Sequence, residues 1–71
     1  MKLGKYRHSK TGNFYRVISI AKHSETLEEL VVYKSLYKNS ISKVWVRPKK
    51  MFLETVEIKG KKVPRFAFVE D

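Results

Sequence analysis

Two histidines and a short polar run are the residues whose types could support catalysis. His8 stands near one end of the chain, and His23 is followed directly by Ser24 and Glu25. A base, a nucleophile and an orienting acid are the residue types of a hydrolytic triad, but a triad is assembled from separated elements and not from adjacent residues. Ser24 is more typical of a turn, where its hydroxyl binds local backbone. We therefore predict that the chain is not an enzyme, with a small hydrolase around His8, His23 and Ser24 as a distant alternative.

A metal site is the second chemistry that the same side chains could provide. It would require His8, His23 and Glu25 to converge, and no helical or hairpin ligand spacing demands that. The chain contains no cysteine, which excludes disulfides and thiolate ligands. Its three glycines are scattered and do not form a phosphate-binding loop. We predict neither a metal nor a cofactor.

Aromatic and cationic side chains in the middle of the chain form the strongest candidate site. Side chains alternate along a strand, so two paired runs with their small aliphatic residues inward would present Tyr33, Tyr37, Trp45 and Arg47 on one outer face. Bases stack on such a wall for about 1–3 kcal/mol each, and arginine adds phosphate contacts. A register change of one residue would instead turn Trp45 into the core, where a lone tryptophan is a common anchor.

Charge supports a polyanion partner. The formal net charge is +9, and residues 1–23 and 38–50 carry basic side chains with no acid. Such a surface attracts nucleic acid or other polyanions, although the same excess could simply keep the protein soluble. The predicted phosphate contacts are Arg7, Lys22, Lys49 and Lys50. The predicted ligand-binding residues are His8, His23, Ser24, Glu25, Tyr33, Tyr37, Trp45 and Arg47.

Short strands are the elements that would position these groups. Strands are predicted at residues 5–8, 14–21, 30–37, 44–47, 54–58 and 63–68, with a loop from Lys38 to Lys43 and one helical turn near Lys49 to Leu53. Thr26 and Glu29 fit a helix capping box, which leaves a helix over residues 27–37 open. The β-branched Val31 and Val32 favour the strand there. We therefore predict a mostly β protein, a single small SH3-like barrel of five or six strands.

Length limits the remaining possibilities. A chain of 71 residues forms one small domain, residues 1–71, with little concavity from which water could be excluded. No apolar run is long enough to span a bilayer, so we expect no membrane association and a cytoplasmic location. Nothing in the sequence demands an oligomer, and we expect a monomer.

A family resemblance covers nearly the whole chain, from residue 4 to about residue 68. The polar turn His23 to Thr26, followed by Trp45, Val46, Arg47 and Pro48, is the specific part of the pattern. The other matching residues are Gly4 to His8, Gly12, Tyr15, Val17, Ala21, Val31 to Tyr33, Leu36, Tyr37, Met51, Phe52, Val56, Gly60, Val63, Arg65 and Phe66. This pattern resembles the bacterial domain-of-unknown-function family 1653. The resemblance implies a compact, mostly β domain of the small-barrel kind and brings no established activity with it.

Two classes of function stay open at this point. The first is a basic binding module that holds nucleic acid or another phosphate-bearing ligand on its aromatic and cationic face. The second is an SH3-like module that binds a protein or peptide on the same aromatics, with Glu25, Glu28 and Glu29 selecting basic partners. Fold alone does not decide between them.

Overall fold

The computed structural model describes residues 1–38 and 41–70, and within them seven strands and one short helix. The strands are β1 (Gly4–His8), β2 (Phe14–Lys22), β3 (Glu29–Ser35), β4 (Val44–Pro48), β5 (Thr55–Ile58), β6 (Lys61–Pro64) and β7 (Phe66–Glu70). The helix α1 (Lys49–Phe52) follows β4 directly. The mostly β class and the helical turn are thus confirmed, and the segment after the capping-box pattern is a strand. The predicted loop from Lys38 to Lys43 lies partly outside the described residues.

The strands form two antiparallel sheets. One sheet has the order β4-β3-β2-β1-β7, and β5 pairs with β6 in a separate two-stranded sheet. Within the described residues the larger sheet is open, with β4 and β7 as its edges, so the architecture is not one closed barrel. The predicted last strand is divided at Arg65. The N–H of Arg65 donates to the carbonyl of Glu54 at 2.8 Å, and its carbonyl accepts from Ser9 at 2.9 Å. This residue therefore links the two sheets instead of continuing either strand.

The core lies on one face of the larger sheet, which we call the inner face. Tyr6, Val17, Val31, Tyr33 and Phe66 are buried there, and α1 covers them with Phe52, which is 1% exposed. Because α1 is only four residues long, its contribution to folding comes mainly from this one aromatic ring and not from intrinsic helix stability.

The orientation of the β3–β4 hairpin corrects the expectation that Tyr33, Trp45 and Arg47 lie on an outer face. Tyr33 lies opposite Trp45 and Val31 lies opposite Arg47, so these side chains share a face, as the alternation predicts. That face is the inner one, because Val31 and Tyr33 are buried while Val44 and Val46 are exposed. Val44 and Val46, which were expected to point inward, therefore point outward. Large aromatic rings supply more buried area per residue, and in a chain this small they take the core positions.

Candidate aromatic pocket

A pocket opens where the inner face of the hairpin extends beyond the core. Its volume is about 310 Å³, and it is lined by Tyr15, Tyr33, Tyr37, Ile41, Trp45 and Arg47. We call this set the aromatic pocket. It brings together the four aromatic and cationic residues that the sequence predicts as one surface. No acidic side chain is among these lining residues, so the electrostatic character of the pocket comes from Arg47.

Tyr15 and Tyr37 form one wall of the pocket. Their hydroxyl oxygens are 3.0 Å apart in a hydrogen bond, and their rings pack edge to face with centroids 5.5 Å apart. Tyr15 also packs edge to face on Tyr33, again at 5.5 Å. Burial, together with the hydrogen bond between Tyr15 and Tyr37, raises the pKa of Tyr15 to about 12. The hydroxyl of Tyr15 therefore stays protonated at neutral pH and is held in place by its partner.

Trp45 forms the opposite side and is fixed by the neighbouring strand. Its indole Nε1 donates a hydrogen bond to the hydroxyl of Ser35 at 3.0 Å. The ring is partly buried and packs against the core cluster. Trp45 is therefore neither a fully buried anchor nor a free platform on the outer surface. The Nε1 edge of the ring is held by Ser35, while other parts of the ring line the pocket.

Arg47 and His8 both pack against the ring of Phe66, and we call this side of the pocket its cationic end. The guanidinium carbon of Arg47 lies 5.7 Å from the centroid of that ring, and His8 packs on it edge to face at 4.9 Å. Partial burial lowers the pKa of His8, and the charges of Arg65, Arg47 and Lys10 lower it further. His8 is therefore close enough to Arg47 and Arg65 to sense their charge.

The polar run after His23 lies elsewhere and has a structural role. The Nδ1 of His23 accepts hydrogen bonds from the backbone N–H groups of Glu25 at 3.2 Å and Thr26 at 3.3 Å. His23, Ser24 and Glu25 thus belong to the turn between β2 and β3.

His8, the last residue of β1, lies beside the other end of β2, where its backbone N–H donates to the carbonyl of Asn13. The two ends of this nine-residue strand are about 26 Å apart at a rise of about 3.3 Å per residue. The structure does not bring His8, His23 and Ser24 together.

The predicted phosphate contacts are also dispersed. Lys49 pairs with Glu29, with Nζ and Oε1 3.3 Å apart, and both line a separate groove with Glu28 and Lys50. Lys22 lies opposite Glu29 in the β2–β3 ladder. Arg7 lines a third groove, of about 380 Å³, with Ser9, Ile58, Lys59, Lys61 and Val63. None of these residues is among the described residues that line the aromatic pocket, of which Arg47 is the cationic one.

Tyr15, Ile41 and Arg65 are missing from the sequence-based prediction of the site. The ladder places Tyr15 opposite Ser35, the residue that binds Trp45, and so beside the predicted aromatics. The alternation of Tyr15 with Val17 was a usable signal, but the apolar residues on both faces of β2 obscured it. The approach of Arg65 depends on the break between β6 and β7; Pro64 signals an interruption of the strand there, but not what Arg65 contacts.

Among residues 1–38 and 41–70, no three His, Cys, Asp or Glu side chains are grouped so that they could hold a metal ion. Within the same residues, no helix is long and apolar enough to cross a membrane.

Comparison with known proteins gives two concordant results. The model of the family described as "Protein of unknown function (DUF1653)" matches residues 4–68. The fold is similar to the crystal structure of a DUF1653 protein from Bordetella bronchiseptica, with a TM-score of 0.90 and 36% sequence identity over 97% of this chain and 87% of that chain. No curated protein is significantly similar. With the family match over nearly its whole length and a related structure at this similarity, the chain belongs to the DUF1653 family.

Proposed function

We propose that this protein is a small nucleic-acid-binding module whose aromatic pocket holds one unpaired base. The observation that carries the proposal is the composition of the pocket: four aromatic rings and one arginine, with no acid among the lining residues. At about 310 Å³ the pocket is at the small end of ligand sites, which suits a single base or nucleotide better than a longer segment. Tyr37 and Trp45 supply stacking surfaces, and Arg47 contacts the phosphate.

The charge of the pocket favours an anionic ligand over a cationic one. Aromatic cages that bind methylated ammonium groups rely on ring faces and are helped by nearby acids. Here Arg47 lines the pocket, and His8 is close enough to Arg47 for that charge to lower its pKa. Together with the net charge of +9, this cationic end repels a positively charged ligand and attracts a phosphate. The cytoplasmic location inferred from the sequence stays a prediction.

The peptide-binding alternative has weaker support. It requires Glu25, Glu28 and Glu29 to select basic partners beside the aromatic residues. Glu28 and Glu29 instead line the separate groove with Lys49 and Lys50, where Glu29 is paired with Lys49. The aromatic surface therefore lacks the acidic neighbours that this alternative assigned to it.

Fluorescence of Trp45, the single tryptophan of the chain, tests the proposal directly. Titration with a single-stranded oligonucleotide at low salt should quench this fluorescence. Loss of one stacking ring in Y37A should weaken binding by roughly 5- to 150-fold, the equivalent of about 1–3 kcal/mol. V46A is the matched control, because Val46 is exposed on the outer face of the same hairpin. It should bind as the wild type does.

Arg47 gives a second arm of the same experiment. R47Q should weaken oligonucleotide binding and also reduce its salt dependence, because one phosphate contact is lost. K62Q removes the same charge on the separate β5–β6 hairpin and should leave binding almost unchanged. A folded protein that binds no oligonucleotide at low salt would overturn the proposal. So would pocket variants that lose binding of a proline-rich peptide while they retain oligonucleotide binding.

A further inference from the structure

The outer face of the large sheet carries a row of cationic side chains that the aromatic pocket does not use. Lys5 on β1 lies opposite Arg16 on β2, and Arg16 lies opposite Lys34 on β3. Directly opposed residues have Cβ atoms about 4.5–5.5 Å apart, so the three side chains form a line across three strands. Each alternates with an inner-face neighbour such as Tyr6, Val17 or Tyr33, which places the row outside. We call Lys5, Arg16 and Lys34 the outer cationic row.

This arrangement costs stability in the isolated protein. Like charges directly opposite one another on a sheet destabilise it. The ion pairs found among residues 1–38 and 41–70 join Lys49 to Glu29 and Arg65 to Glu54, and neither involves the row. Among the strand partners of the row within residues 1–38 and 41–70, Glu70 is acidic: it lies opposite Lys5 on the edge strand β7, while Val44 lies opposite Lys34 at the other edge. Three adjacent cations with one terminal acid leave a net positive line that an external polyanion would neutralise.

Neighbouring residues extend the same surface. Arg7 lies two residues along β1, opposite Phe14, and lines the groove of about 380 Å³ that also contains Lys59 and Lys61. Phe14 is 36% exposed, and the Nζ of Lys5 lies 4.5 Å from the centroid of its ring. Cations thus continue from the centre of the sheet towards the β5–β6 hairpin.

We propose that the outer cationic row binds the phosphate backbone of nucleic acid and forms a second contact surface, separate from the aromatic pocket. A line of regularly spaced cations suits a chain of repeating phosphates, and the backbone supplies most of the sequence-independent affinity of nucleic-acid-binding proteins. The row follows from the strand register and shares no residue with the aromatic pocket. The pocket needs an unpaired base, whereas the row also accepts a fully paired duplex.

A blunt-ended DNA duplex is therefore the probe that separates the two surfaces. The triple variant K5Q/R16Q/K34Q should bind it much more weakly. The slope of log affinity against log salt should fall by about 2.7, because each phosphate contact contributes about 0.9. E70Q removes the acid that lies opposite Lys5 and should raise affinity. Y37A should bind the duplex as the wild type does, while it loses affinity for the single strand.

The matched control is K22Q/K50Q/K62Q, which removes the same number of charges. Lys22 and Lys50 are predicted phosphate contacts from the sequence, but the structure gives both of them acidic neighbours, which offset their charge. Lys22 and Lys62 lie opposite Glu29 and Glu57, and Lys50 lines a groove with Glu28 and Glu29. The control variant should keep most of the affinity and of the salt slope. Equal losses in the two triple variants would overturn the proposal, because they would show a nonspecific effect of net charge. It would also be overturned if a folded K5Q/R16Q/K34Q variant kept full duplex affinity while it lost self-association or binding to phosphatidylserine vesicles.

Discussion

The ring of Phe52 stacks on the ring of Phe66, with centroids 4.1 Å apart and an angle of 2° between their planes. The same Phe52 ring packs edge to face on Tyr6 and Tyr33, each at 5.5 Å. One residue of a four-residue helix therefore joins the aromatic side chains of β1, β3 and β7 into a single core. The aromatic pocket depends on this core, because Tyr33 lines the pocket and Phe66 packs against two other lining residues, Tyr15 and Arg47.

Truncation of Phe52 should accordingly be among the most damaging single changes in the chain. F52A should lower the free energy of unfolding by about 3–5 kcal/mol, enough to unfold much of a domain of this size. M51A, at the exposed neighbouring position, should change it by less than about 0.5 kcal/mol. Urea unfolding followed by far-ultraviolet circular dichroism measures both. A stable F52A variant would contradict the role given to this ring.

The positions of most strands can be predicted from the sequence. Which face of the larger sheet is buried cannot. Alternation correctly grouped Tyr33, Trp45 and Arg47 on one face, because that grouping follows from strand geometry alone. Which face becomes the core depends on which set of side chains buries the larger apolar area when the whole chain folds. Here the ring that covers the core is Phe52 on α1, and no sequence pattern around this residue predicts which face of the sheet the helix covers. The catalytic residue types around His23 form a turn instead, since their hydrogen bonds are local.

Backbone strain in the β2–β3 turn gives a second prediction. Leu27 has a φ of 63°, a left-handed conformation that costs a residue with a Cβ roughly 1–2 kcal/mol, and its side chain is 65% exposed. L27G should relieve this strain, and the gain should exceed the entropy that glycine adds to the unfolded chain. We expect an unchanged or higher midpoint of urea unfolding. L53G, at an exposed residue with a negative φ of −88°, should lower the midpoint. An L27G variant that is less stable than L53G would contradict this explanation.

The tyrosine pair predicts a response to alkaline pH. Because the pKa of Tyr15 is raised to about 12, the neutral hydroxyl is favoured in the folded state. This contribution to stability is fully present below the ordinary value of 10 and is lost as the pH rises towards 12. Y37F removes the hydrogen bond but leaves most of the burial. The pKa of Tyr15 should therefore fall and yet stay above 10, as measured by the ultraviolet absorbance of the phenolate. An unchanged titration in Y37F would exclude the hydrogen bond as a cause.

The pKa of His8 reports most directly on the positive charge at the cationic end of the pocket. Its pKa lies below the ordinary 6.5 because of burial and the charges of Arg65, Arg47 and Lys10. In the folded state the neutral imidazole is therefore favoured. The resulting stability is present above about pH 6.5 and is lost as the pH falls through the lowered pKa, because the unfolded chain then binds the proton more tightly. In H8Q, the free energy of unfolding should vary less over this range.

The NMR titration of the His8 imidazole can then report on Arg47. R47Q should raise the pKa of His8, because one of the charges that lower it is removed. K22Q, at the far end of β2, should leave that pKa unchanged. A single-stranded oligonucleotide bound at Arg47 should raise the pKa as well, since its phosphate neutralises the same charge. If R47Q changed neither the pKa of His8 nor its response to the oligonucleotide, Arg47 and His8 would not share one cationic site.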